Sequence, residues 1–189
     1  VRGRTGVSPV MSRIAREIQL IRTLDDVGKV NYREAMTQGM AKYADRYSDV
    51  NSRMLDELGV NIVKDLIQYP SQLRIVESSP TTRGLAWDKN VWLKDDLPYQ
   101  QKILNHELAH IGFNHSGSDL PTALQEIQAE GTSYGIGHRL GIPTDVLAMA
   151  SAPVLHSRMK QYSPEQIGNM IEMNRSPISE MVSRFMGSR

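Results

Sequence analysis

Cysteine is absent from the 189 residues. That excludes disulfides, thiolate metal sites, iron–sulfur ligation and a cysteine nucleophile. Any bound metal must be held by His, Asp or Glu. Long apolar runs are missing too. No stretch approaches the roughly 20 apolar residues that a membrane span needs, and the softest, Val146 to Leu155, is interrupted by Ser151 and Pro153. Val1-Arg2-Gly3-Arg4 has no apolar segment behind it, so no secretory signal is expected. The start at Val1 suggests a processed chain or an excised domain. There is no Gly-rich phosphate loop and no G-x-S-x-G elbow. An excess of one charge is also lacking: 22 Lys and Arg against 21 Asp and Glu leave +1. No global basic field argues for nucleic acid.

What is present is an ordinary globular composition, 40% apolar and 23% charged. Charge is uneven locally. Residues 1–22 carry five arginines and one glutamate, and residues 87–130 carry three lysines against seven carboxylates. A carboxylate-rich centre suits a cation. The basic arm reads first as solvated arginines and only weakly as a handle for an acidic partner.

The first 70 residues read as mostly helical. Met11, Ile14, Ile18 and Ile21 step by three and four, as do Tyr32, Met36, Met40, Tyr43 and Tyr47. The Met and Tyr stripe is read as packing, not as a cofactor site. Val50, Met54, Leu55 and Leu58 follow, with Gly59 as a C-cap. A short helix is expected over Val60–Ile67, then a strand over Leu73–Glu77. A hairpin is expected around Lys89-Asn90, with Trp87 and Trp92 covering the helices. Its edge could also receive a peptide by strand addition. Helices are expected from Pro98 to about Asn114, over Thr122–Leu140 and from Thr144. Ser163-Pro164-Glu165-Gln166 is a capping box, and a last helix starts near Ser176-Pro177 and ends near Gly187. The expected organisation is a helical region, 1–70, for packing or partner binding, and a second unit, 71–189.

His106-Glu107-Leu108-Ala109-His110 is an HExxH motif. With five histidines in the chain, random ordering would produce about 0.007 such motifs. On a helix, residues four apart share a face, so His106 and His110 can bind one metal ion. Glu107 lies about 100° around the helix, within reach of a water at that ion. This is the arrangement for a base acting beside a Lewis acid.

A catalytic zinc wants three protein ligands and an open position. The candidates downstream are His115, Asp119, Glu126, Glu130 and His138, with Glu126, Glu130 and His115 foremost. The spacing H-x-x-G-x-x-H fails, because Phe113 and Ser116 stand where Gly and His would be needed. His115 is expected to bond the last carbonyls of its helix or to offset the dipole. Ser116–Pro121 reads as a turn returning an antiparallel helix on which Glu126 and Glu130, i and i+4, share a face. One carboxylate can take the metal while the other holds a ligand imidazole through its free N–H. Tyr134 continues that stripe, where a hydroxyl might serve an oxyanion; a buried tyrosine with a local partner is the preferred reading. His138 reads as helix-surface polarity.

Residues 87–143, with "ILNHELAHIGFNH" and "EIQAEGTSYGIGHRLGIP", resemble the zincin-like metallopeptidase domain of the ImmA/IrrE group and the ArdC-type antirestriction proteins of bacteria, phages and plasmids. In that group an HExxH helix precedes a helix of the form E-x-x-A-[N/E]; here the matching residues are Glu126, Ala129 and Glu130. Thermolysin-like gluzincins share a ligand Glu with an acidic residue four later. The resemblance implies an α+β class: a mostly helical zincin-like fold with a small antiparallel β-sheet packed on the HExxH helix. It implies Zn2+ held by His106, His110 and Glu126, with Glu107 as general base and Glu130 supporting a ligand histidine. The turn geometry argues the same way, because Glu126 lies one turn nearer the returning chain. The activity implied is zinc-dependent hydrolysis of a peptide bond in a protein substrate. The alternative is a non-proteolytic ArdC-like module that binds DNA or a host protein. No membrane partner is expected. The location implied is cytoplasmic, in a bacterium or a host cell, for a phage-encoded or injected protein. Residues 1–70 carry no such resemblance.

Overall fold

A computed structural model describes residues 9–187 of the chain. Arg2 and Arg4 of the basic arm lie outside the described residues. Three helices come first, α1 (Pro9–Thr23), α2 (Asp26–Tyr43) and α3 (Ser48–Leu58), with a 3-10 turn at Ala44–Tyr47. Then come β1 (Asn61–Val63), α4 (Pro70–Ser78), β2 (Gly84–Trp87) and β3 (Asn90–Leu93). The remainder is helical: α5 (Gln100–Gly112), α6 (Thr122–Arg139), α7 (Thr144–Arg158), α8 (Pro164–Met173) and α9 (Arg175–Met186). The class is a mostly helical α+β fold.

The apolar stripes explain the packing. Ile14, Ile18 and Ile21 are buried where α1 crosses α7 and α8. Met36, Met40 and Tyr47 are buried as well, and the Tyr47 hydroxyl donates to the Ser133 carbonyl at 2.7 Å. The Met and Tyr stripe is therefore core. Gly59 ends α3 at φ 65°, the left-handed region where glycine is favoured. Ser163 and Gln166 form the reciprocal capping box. On α6, a Cβ on Gly135 would come within 2.8 Å of Val182. The missing side chain lets α9 pack close against α6.

Two segments differ from expectation. Val60–Ile67 contains a strand, not a helix. Once Gly59 has stopped α3, Asn61-Ile62-Val63 pairs parallel with Asn90-Val91-Trp92, and β-branched residues suit that pairing. Leu73–Glu77 is helical, not extended, because Pro70 occupies the first turn of α4, where its missing N–H is harmless. In α4, Leu73 and Val76 are half-buried three apart while Ile75 is exposed. That is helical spacing, hidden in a five-residue run that also looks alternating.

The hairpin stands as expected, β2 antiparallel to β3 with Trp87 opposite Asn90, and Asp88 takes φ 52° in its turn. The sheet order is β1-β3-β2. The sheet is mixed, since β1 adds a parallel edge to the antiparallel pair. Both hairpin strands pack on α5, and β2 is a free edge. One buried cluster includes residues of α1, α2 and α3 together with residues of α5 to α9, so side chains from both sides of residue 70 share a core. Among the described residues, no helix is long and apolar enough to cross a membrane.

Candidate metal centre

Helices α5 and α6 run antiparallel, as their cross-contacts show. Lys102 meets Glu130, His106 meets Glu130 and Glu126, and His110 meets Glu126. Positions 102, 106 and 110 lie four apart on one face of α5, and 126 and 130 on the facing side of α6. The chain between the helices turns through Asn114, at φ 56°, and a 3-10 turn at His115–Gly117.

Four side-chain atoms of three residues converge. His106 Nε2 lies 3.2 Å from Glu126 Oε1, His110 Nε2 lies 3.2 Å from Glu126 Oε2, and the two Nε2 atoms are 3.1 Å apart. A tetrahedral ion with bonds of about 2.0–2.1 Å needs ligand atoms roughly 3.3 Å apart. Two imidazole nitrogens and the Glu126 carboxylate, gathered this closely, could hold a metal ion. All three side chains keep 10–14 % exposure. They line a cleft of about 260 Å³, shared with Glu107, Arg158 and residues 84–86 of β2. A fourth position can therefore open on that cleft.

Glu107 stands outside the triangle, buried beneath β2. A Cβ on Gly84 would come within 3.1 Å of Glu107 Oε2 and 3.0 Å of Ile103, so only glycine lets β2 lie so close. Burial pushes the Glu107 carboxyl above its ordinary value, against the pull of the His106 and His110 imidazoles.

Glu130 is fully buried and fully employed. Its Oε1 accepts from His106 Nδ1 at 2.8 Å. Both oxygens accept from Lys102 Nζ, at 3.2 and 3.0 Å, and Oε2 accepts from the Ser151 hydroxyl. Burial alone would raise its pKa. The Lys102 ammonium, His106 and the Ser151 hydroxyl outweigh burial and bring it down to about 2. For Glu126, too, burial is outweighed, here by the two imidazoles, and its pKa falls. Burial disfavours the charged form of His106, but Glu126 and Glu130 beside it push its pKa up to about 10.

His115 is not at the helix carbonyls. Its Nδ1 lies 2.8 Å from His110 Nδ1 and its Nε2 lies 2.8 Å from Gln128 Oε1. Both ring nitrogens have partners, and His115 is not one of the three side chains that converge. Burial pushes its pKa below the ordinary value. Tyr134 does not line the cleft; its hydroxyl is enclosed without a partner among the described residues. His138 is exposed. Lys102, Gln128, Ser151 and Asn174 were not anticipated as parts of the site. Lys102 carried a signal, standing four before His106. Ser151 comes from α7 and Asn174 from the joint between α8 and α9, and neither carried one.

Ser116, beyond the end of α5, accepts the Asp88 amide proton through its hydroxyl at 2.9 Å. The hairpin turn is thereby tied to the turn after the HExxH helix. Compared with known proteins, no family model, no curated protein and no solved structure matches the chain.

Proposed function

We propose that this chain is a zinc-dependent metallopeptidase that hydrolyses a peptide bond in a protein substrate. The observation that carries this reading is the convergence of His106, His110 and Glu126, whose nearest nitrogen and carboxylate atoms approach to 3.1–3.2 Å, on a cleft that also contains Glu107. Two imidazoles and one carboxylate favour zinc among divalent ions. A zinc ion held there supplies Lewis acidity, lowering the pKa of water toward ~7 and polarising a carbonyl. Glu107 has the position of a general base in HExxH chemistry. Its carboxylate takes the proton from the attacking water and delivers it to the leaving amine. Glu130 holds His106 by Nδ1 throughout. The free edge of β2 lies along the cleft, and its backbone can align an extended peptide by strand addition.

The test joins elemental analysis to a peptide-library cleavage assay. Wild type should contain about one zinc per chain and cleave. Glu107→Gln should keep the zinc and lose roughly 10²–10⁴-fold in turnover. Absence of zinc in the wild type overturns the reading. Zinc without cleavage overturns the peptidase half and leaves a metal-holding module.

A further inference from the structure

A histidine offers a metal only a nitrogen that carries no proton. His106 has its Nδ1 proton held by Glu130. His110 has no carboxylate on Nδ1. Its partner there is another imidazole, and two imidazoles in contact can share one proton in either direction.

The direction is settled at the joint between α8 and α9. Asn174 Nδ2 lies 2.8 Å from the Met170 carbonyl oxygen, which can only accept. The Asn174 amide is thereby oriented, with Oδ1 toward α6. Gln128 Nε2 donates to that Oδ1 at 3.2 Å, which turns Gln128 Oε1 toward His115. Since Oε1 also can only accept, His115 Nε2 carries the proton. A neutral imidazole protonated on Nε2 has a bare Nδ1, and this accepts from His110 Nδ1–H. A neutral His110 with its proton on Nδ1 has a bare Nε2, the atom that faces Glu126 and can accept from His106 Nε2–H. Phe113 stacks on the His115 ring, 6° from parallel, and holds its plane.

We propose that Asn174, Gln128 and His115 form a directional relay that sets the tautomer of His110 and so presents its Nε2 lone pair to a metal ion. All three are positioning residues. The effect on metal affinity rests on the metal-centre reading; the tautomer of His110 does not.

The two parts are measured separately. In 15N-labelled, chelator-treated wild type at mildly alkaline pH, two-bond 1H–15N spectra should give His110 as the Nδ1–H tautomer and His115 as the Nε2–H tautomer. Gln128→Leu and Asn174→Leu should relax His110 to a mixture. In chelator competition they should weaken zinc binding by roughly 10–100-fold, as loss of a ligand's hydrogen-bond partner does. His115→Phe keeps the stack on Phe113 but removes the acceptor, and should lose as much. His115→Asn returns an acceptor near the Nδ1 position and should recover most of the affinity, which a purely space-filling role would not explain. An Nε2–H tautomer or a mixture at His110 in the wild type overturns the relay. So does a Gln128→Leu protein with unchanged tautomer and affinity. Wild type with the expected tautomers but no zinc binding supports the relay and overturns the metal reading. The wild-type spectrum requires no substitution, so failure of a variant to fold leaves the relay testable.

Discussion

Lys102 and Glu130 face each other almost without solvent, with side chains 5 % and 1 % exposed and Nζ 3.0 Å from Oε2. Lys102→Met removes the cation and keeps most of the stem's volume. Glu130 is then a buried carboxylate served only by His106 and Ser151. The depression of its pKa from 4.5 to about 2 corresponds to about 3 kcal/mol at ~1.4 kcal/mol per pH unit, and Lys102 shares it with His106 and Ser151. Breaking one side of a buried pair costs about 3–5 kcal/mol, because the remaining charge is left buried and under-compensated. At roughly 2–4 °C per kcal/mol for a chain of this size, Lys102→Met should melt about 6–20 °C below the wild type. Melting is followed by circular dichroism in chelator, so that bound metal adds no stability. Because the Glu130 pKa is depressed on folding, its contribution is present above about pH 4.5 and lost as pH falls through about 2. The gap between the two proteins should close over that window. The double variant Lys102→Met/Glu130→Leu should regain most of the melting temperature, since an apolar pair can replace a buried ionic one. Its zinc affinity should still fall about 10–100-fold, because His106 Nδ1–H has lost its acceptor. A Lys102→Met protein that melts within about 2 °C of wild type, less than 1 kcal/mol, would refute this account.

Glu126→Ala should strip zinc, whereas Glu130→Ala should weaken it by roughly 10–100-fold; elemental analysis after dialysis separates the two. Zinc must displace the second proton of His106, whose pKa is pushed up to about 10. Apparent affinity should therefore rise with pH, by up to about tenfold per unit below that value, and calorimetry in buffers of different ionisation enthalpy should detect the proton released. Gly84→Ala puts a methyl 3.1 Å from Glu107 Oε2. Turnover should fall while zinc content stays unchanged, and a fully active variant would show that the carboxylate can shift without consequence.

The helices around the site were legible because each carried two agreeing signals. For α5 and α6 these were residues of one kind four apart and a turn between, and for α8 the Ser163–Gln166 box. The segment 60–78 carried conflicting ones. Ile62-Val63 is too short to show a period, and the partner of β1 lies in a hairpin that only the folded chain brings alongside. Leu73-Arg74-Ile75-Val76-Glu77 satisfies alternation and helical spacing at once, and the proline before it decides. In the site, the residues that hold Glu130 and His110 from outside illustrate the limit. Ser151 is a serine in an apolar helix and Asn174 a polar residue at a joint. Local sequence does not say that either hydroxyl or amide will meet a group on α6.

The Asp88 amide and the Ser116 hydroxyl form a pin across the mouth of the cleft. One half belongs to the hairpin that carries the free edge, the other to the turn leaving the HExxH helix. Among the described residues this is the one hydrogen bond between the two turns, and it faces solvent, so breaking it needs only local opening and not unfolding. The Asp88 amide is thus a built-in observer: its hydrogen-exchange rate reports how often that bond opens, without any substrate having to be known.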